Sequence, residues 1–146
     1  LYLFCSDTSW EKIRVVKEYD ENVPSILCDI QQLKQVFINI FMNAHEAMQG
    51  KGTITVKTET TTVNERPSVL VSITDTGGGI DPAVIDNIFN PFFTTKEKGT
   101  GLGLAISNKI ILNHQGKIEI KNVAGKGVTF FIYLPVKNRT NKEEFL

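Results

Sequence analysis

The chain has 146 residues, 41% apolar and 22% charged, the balance of a globular domain long enough to build a full core. Its 16 basic and 16 acidic residues cancel. A protein that works by neutralising a nucleic-acid backbone is therefore a poor reading, and any phosphate chemistry must be local.

Residues 1–10 show no clear period and read as a linker or the remnant of a preceding helix. Near-alternate apolar residues at Ile13, Val15 and Tyr19 predict a half-buried strand over 13–19. Asn22-Val23-Pro24 supplies a turn, and a short second strand is expected over 25–28. Asp29 then stands where an N-cap belongs, with Gln32 three residues on in a capping-box pattern. Leu33, Val36, Phe37, Ile40, Phe41, Ala44, Ala47 and Met48 follow at three- and four-residue spacing, the broad apolar face of a helix that Gly50 and Gly52 end.

Strands over 53–62 and 69–74 flank Asn64-Glu65-Arg66-Pro67 and predict an antiparallel hairpin. Residues 75–80 are a glycine-rich break, and Asp81-Pro82 starts a short helix with Pro at its first position. Residues 87–103 are the least regular stretch. A helix is expected over 104–113 with Ile106, Ile110 and Ile111 on one face, ended by His114-Gln115-Gly116, where His114 reads as a cap. Strands over 117–122 and 128–134 close the domain, and residues 137–146 form a polar tail. Strands and helices do not alternate strictly. The expected class is α+β, a two-layer sandwich with one mixed, mostly antiparallel sheet and about three helices on one face, with no internal repeat or domain boundary.

Cys5 and Cys28 lack metal-ligand spacing and read as reduced thiols. No apolar run approaches the roughly 18 residues that cross a bilayer, and no signal-peptide pattern occurs. The chain starts at Leu1 and not at Met, so it reads as a fragment whose parent is free to carry a membrane segment.

Three glycine clusters carry the chemical signal: Asp75-Thr76-Gly77-Gly78-Gly79-Ile80, Gly99-Thr100-Gly101-Leu102-Gly103-Leu104 and Gly125-Lys126-Gly127. Each alone could be a turn. The second, directly before a helix, lets backbone approach a ligand and aims free N–H groups at it, an anion site made from a helix N-terminus. The Walker pattern fails for want of Gly-Lys-Ser/Thr, and the dinucleotide fingerprint fails because Gly99, Gly101 and Gly103 alternate and follow no strand.

Together these segments resemble the catalytic domain of sensor histidine kinases. Gln35-Val36-Phe37-Ile38-Asn39-Ile40-Phe41-Met42-Asn43-Ala44 is similar to their N-box, and residues 75–80 to the first glycine box. Ile88-Phe89-Asn90-Pro91-Phe92-Phe93-Thr94-Thr95-Lys96 is similar to the phenylalanine box, and residues 99–104 to the second glycine box. The four motifs match in order and spacing, and the resemblance spans roughly 13–135, closest to the nitrogen-regulatory and sporulation-kinase branch.

The resemblance implies the Bergerat ATP fold over residues 11–136, with ATP and Mg²⁺ as ligands. Asp75 would accept a hydrogen bond from the adenine amino group; a carboxylate accepts and cannot donate, so it selects adenine over guanine. Gly77 and Gly79 would let the chain pass close to the purine beside Ile80. Asn43 would hold Mg²⁺ through its amide oxygen, with Asn39 one turn earlier on the same face. In the gyrase and chaperone branches a glutamate at the Asn39 position activates water. An amide cannot act as that base, which favours a kinase over an ATPase of the same fold; a serine kinase of the anti-sigma type, told apart by acid-stable phosphoserine on a partner, is the other alternative. Residues 87–98 would form the ATP lid, anchored by Phe89, Phe92 and Phe93. Thr95, Lys96 and Lys98 would lie along the nucleotide, a lysine reaching the phosphates and the backbone of Gly99, Thr100, Gly101, Leu102, Gly103 and Leu104 cradling them.

The implied catalytic residues are Asn39, Asn43 and Lys96. Two departures are visible. Glu46 and Ala47 stand where many members carry a lysine and an aromatic residue, which shifts weight to the lid lysines. Val128 stands where relatives place a threonine near the adenine. Thr129 follows it, but strand neighbours face opposite ways. His45 lies within the N-box helix and is not the phosphoacceptor. That histidine would sit on a separate dimerisation domain of the same protein, which signals to a response regulator. The implied setting is a cytoplasmic domain, monomeric alone, of a homodimeric parent that is free to be anchored in the inner membrane.

Overall fold

The computed structural model describes residues 8–93, 102–123 and 125–136. Seven elements follow in order: β1 (Ile13–Tyr19), α1 (Ile30–Ala47), β2 (Gly52–Val63), β3 (Arg66–Asp75), α2 (Gly103–Asn113), β4 (Lys117–Val123) and β5 (Gly127–Pro135). They form one five-stranded sheet in the order β1-β2-β3-β5-β4, with β1 parallel to β2 and every other pair antiparallel. The mixed, mostly antiparallel sheet is as expected.

The pleat sorts the sheet into two faces. Ile54, Val56, Ile73, Val128, Phe130, Ile132 and Leu134 share one core with Leu33, Val36, Ile40, Phe41 and Ala44 of α1 and with Ile110 and Ile111 of α2. Ile40, Ile54, Ile73, Ile111 and Ile132 come from five different elements, and each is fully buried. Burial of such a side chain stabilises the fold by roughly 1.5–3 kcal/mol relative to exposure. The other face holds Thr74 and Thr129 together with the exposed ion pairs Lys57–Glu59 (2.8 Å) and Lys117–Glu119 (2.9 Å).

Local chemistry explains the joints. The β2–β3 turn is two residues long, with Asn64 at φ 48° and Glu65 at φ 64° and Val63 facing Arg66 across the ladder. Two left-handed residues in sequence match the twist of a hairpin, so the turn is tighter than the four residues expected. Asp29 caps α1, its Oδ1 accepting from the Gln32 N–H at 3.1 Å. The reciprocal half of a capping box is taken by another residue, for the Asp29 N–H donates to His114 Nε2 at 3.0 Å. His114 Nδ1 lies 2.8 Å from the Ile110 carbonyl, so the ring accepts at Nε2 and donates at Nδ1. His114 caps α2, as expected, and ties that end to the start of α1.

Four expectations need correction. Residues 25–28 form no strand: Ile26 and Cys28 touch the core while Leu27 is exposed, so the alternation reflects packing without a ladder partner. The helix expected from Asp81 is a series of tight turns, in which the N–H groups of Val84, Asn87, Asn90 and Phe93 each reach back three residues. Within that stretch only Ile85–Asn87 reaches a 3₁₀ turn, leaving two α-helices among the described residues. Ile106 is 44% exposed, and the inward face of α2 is instead Ser107, Ile110 and Ile111. Ala47 is exposed at the end of α1, while Met48 is buried.

Candidate functional site

The last residue of β3 is a buried carboxylate. Asp75 is 6% exposed on the helix side of the sheet, two positions beyond Ile73. Its Oδ1 accepts the Gly77 N–H at 2.9 Å and the Val128 N–H at 3.3 Å. Burial pushes its pKa up, and those two donors pull against that rise. Among the described residues no buried side-chain oxygen or nitrogen lacks a partner. Among the described residues Oδ2 receives no hydrogen bond, so it opens outward as an acceptor.

Small residues allow this arrangement. A Cβ on Gly77 would lie 2.9 Å from Ala47 at the end of α1, and one on Gly127 (φ 135°) would collide with the Asp75 carbonyl. Gly79 takes φ 77° in the loop that follows Asp75. That loop is fixed from the far side: the Gly125 N–H donates to the Gly78 carbonyl at 2.7 Å. Asn122 Oδ1 accepts the Ile80 N–H at 2.7 Å, and its Nδ2 donates to the Ile80 carbonyl at 2.6 Å. Ile80 is half-buried against the core.

The second part of the site joins α1 to α2. Asn39 Nδ2 donates to the Gly103 carbonyl at 3.0 Å and to Ser107 Oγ at 3.1 Å, and its Oδ1 accepts from Gln35 Nε2 at 3.0 Å. Ser107, fully buried, donates in turn to the Gly103 carbonyl at 2.9 Å. Asn39 thereby fixes the start of α2. Leu102 offers that start no side-chain cap, so the first N–H groups of α2 remain available to an anion. Asn43 is half-buried one turn beyond Asn39, and Leu104 packs on the core.

The structure thus brings Asp75, Gly77, Gly79 and Ile80 into one loop, and Asn39, Gly103 and Leu104 into one helix junction. Thr129 it does not bring to Asp75: Thr129 Oγ1 pairs with Thr74 Oγ1 at 2.9 Å on the opposite face of the sheet. Phe89 packs on the core, but Phe92, at φ 66°, is 75% exposed, and Ile88 is the buried anchor of that stretch. Thr95, Lys96, Lys98, Gly99, Thr100 and Gly101 lie outside the described residues. His45 is engaged at the foot of α1, with Nε2 3.0 Å from the Ser9 carbonyl and its ring 4.6 Å from that of Trp10. The sequence reading missed Ser107 and Asn122. Each is a polar residue in an inward, otherwise apolar series, Leu104-Ser107-Ile111 and Ile118-Ile120-Asn122, and that interruption was the available signal.

Among the described residues no group of three or more His, Cys, Asp or Glu could hold a metal, and no helix is long and apolar enough to cross a membrane. The sequence pattern of the histidine kinase-, DNA gyrase B- and HSP90-like ATPases matches residues 28–138. The chain is 47% identical over 124 residues to sporulation kinase E of Bacillus subtilis, covering 85% of this chain and 16% of that protein. It is 40% identical over 136 residues to the sensor histidine kinase ZraS of Salmonella typhi, covering 93% of this chain and 29% of that one. The chain therefore spans less than a third of these relatives. Among solved structures, the nucleotide-free catalytic domain of histidine kinase ThkA is 37% identical with a TM-score of 0.77, covering 92% of this chain and 87% of that one.

Proposed function

Since this chain belongs to the histidine kinase-, DNA gyrase B- and HSP90-like ATPase family, an ATP-binding family, we propose that it is the catalytic domain of a sensor histidine kinase. In this reading it presents the γ-phosphate of ATP to a histidine on a separate dimerisation domain of the same protein, which passes it to a response regulator. The observation that carries the reading is the open oxygen of Asp75. It is an outward-facing acceptor on a buried residue whose other oxygen is already satisfied by two backbone donors, so it would meet an exocyclic amine and repel a carbonyl.

Asn39 supports transfer over hydrolysis. Both hydrogens of its amide are committed to Gly103 and Ser107, and an amide supplies no base for water. Catalysis is then mostly positioning and charge neutralisation. The uncapped start of α2 would receive phosphate oxygens, and Lys96 or Lys98 would reach them. Mg²⁺ fits as a phosphate-borne ion: Asn43 would give one oxygen ligand, with the others from phosphates and water. Bound there, it would neutralise charge on the phosphates. We assign the domain to the cytoplasm as a monomer, within a homodimeric parent that is free to be anchored in the inner membrane.

Calorimetric titration with ATP and GTP, with and without Mg²⁺, tests the nucleotide half of this reading. ATP binding without GTP binding is expected. The kinase half is tested by acid-labile labelling, expected only when the phosphoacceptor domain is added. Labelling of the isolated chain, or rapid steady ATP turnover by it, would refute that half.

A further inference from the structure

Asn122 occupies a place where the strand pattern calls for an apolar residue. It follows Ile118 and Ile120 on the helix side of β4. A polar group there is costly unless its hydrogen bonds are met. Asn122 meets them on a single residue, accepting from the N–H of Ile80 and donating to its carbonyl at 2.7 and 2.6 Å. A side-chain amide that does both imitates the edge of a neighbouring strand, and so gives the loop after β3 a ladder it otherwise lacks.

The second observation is what stands opposite Asn122. Across the β4–β5 ladder its partner is Val128, whose N–H donates to Asp75 Oδ1. One strand pair therefore holds both ends of the loop, Asp75 through Val128 and Ile80 through Asn122. The Gly125 N–H fastens the loop between them at Gly78. We infer that Asn122 is a positioning residue for adenine recognition, setting the distance between Ile80 and Asp75 so that one base fits between them. This inference rests on the ATP-binding reading above.

Asn122 bonds Ile80 and, among the described residues, makes no hydrogen bond to the start of α2, so its loss should weaken all adenine nucleotides alike. The test is titration of the 146-residue chain and of Asn122→Ala with ATP, ADP and AMP, alongside exchange of the Ile80 amide measured by NMR. The expected result is a uniform loss of roughly tenfold across the three nucleotides with faster exchange at Ile80. Should the alanine variant fail to fold, Asn122→Asp carries the same comparison, since it keeps the acceptor for the Ile80 N–H and loses the donor. Unchanged affinity in a folded variant, or a loss that grows with the number of phosphates, would overturn the role of Asn122 while leaving ATP binding intact. Failure of the unmodified chain to bind ATP would overturn both.

Discussion

Around Asp75 the hydrogen bonds run from the sheet to the loop that leaves it, whereas around Asn39 they run from one helix to the next. The first set is mostly backbone: the N–H groups of Gly77, Val128 and Gly125 and both backbone groups of Ile80. The second rests on the side chains of Asn39 and Ser107, meeting at the Gly103 carbonyl. Asp75, Gly78 and Ile80 are tied to Val128, Gly125 and Asn122 of one β4–β5 hairpin, which leaves that loop little freedom to shift, while a helix start held by two side chains can be displaced by a change in either. In the proposed reading, base selection falls on the stiffer part and phosphate binding on the more adjustable one.

The largest effect should come from Asp75→Asn. The amide oxygen still accepts from Gly77 and Val128, so the fold survives, but an N–H₂ group now faces the adenine amine. ATP affinity should fall by about 100-fold or more, read by calorimetry. Stability should move the other way. Burial raises the folded pKa of Asp75 above its ordinary 3.8, so folding favours the protonated carboxyl. That contribution is fully present below about pH 4 and is lost as pH rises through the raised folded value. The variant lacks it, so its Tm advantage over the unmodified chain should grow from acid toward neutral pH. An advantage that shrank over that range would show that the backbone donors outweigh burial.

Next in size is a pair of glycine substitutions. Gly127→Ala forces a side chain into φ 135° and against the Asp75 carbonyl, and should cost about 2–4 kcal/mol by denaturant midpoint. Gly78→Ala meets nothing within 4 Å and should cost under about 1 kcal/mol. Equal costs would mean that the close approach of β5 to Asp75 does not constrain the site.

These two glycines also show what a linear reading can see. Both fall in clusters that stand out in the sequence, yet only the ladder between β3 and β5 reveals which one touches Asp75. Local signals worked where a local cause acts. The apolar spacing of α1, the Asp29 cap and the β2–β3 hairpin follow from neighbours in the chain. Long-range pairing was not legible: Gln32 matched a capping box, yet the Asp29 N–H went to His114, 85 residues away. The alternation over 25–28 looked like a strand and had no partner. At the candidate site, Asp75 and Asn39 were legible because they sit in a motif, while Ser107, which bonds Asn39, and Asn122, which bonds Ile80, lie in stretches where no motif drew attention.

Smaller effects are expected at the helix junction. Asn39→Ala removes three bonds, to Gln35, Gly103 and Ser107, but leaves Ser107 on the Gly103 carbonyl, and should cost about 1–2 kcal/mol of stability with a several-fold weaker affinity for ATP. Ser107→Ala touches the same carbonyl, so the double variant should fall short of the sum of the singles in a mutant cycle. Full additivity would mean that the two side chains do not act as one brace.

The smallest effect is predicted at Thr129, and it bears on the comparison most directly. Its neighbour Val128 gives a backbone N–H to Asp75, yet the Thr129 side chain lies on the opposite face of the sheet, paired with Thr74 across the ladder. Thr129→Val keeps the shape and removes only that hydroxyl pair. Stability should fall by about 0.5–1.5 kcal/mol, and ATP affinity should stay within about twofold, because the strand's contribution to the base pocket is its backbone. A tenfold loss of affinity with no loss of stability would place the hydroxyl at the base. It would require β5 to slip by an odd number of residues, one at the least, to turn Thr129 to the helix side, and that slip would turn Phe130 and Ile132 out of the core as well.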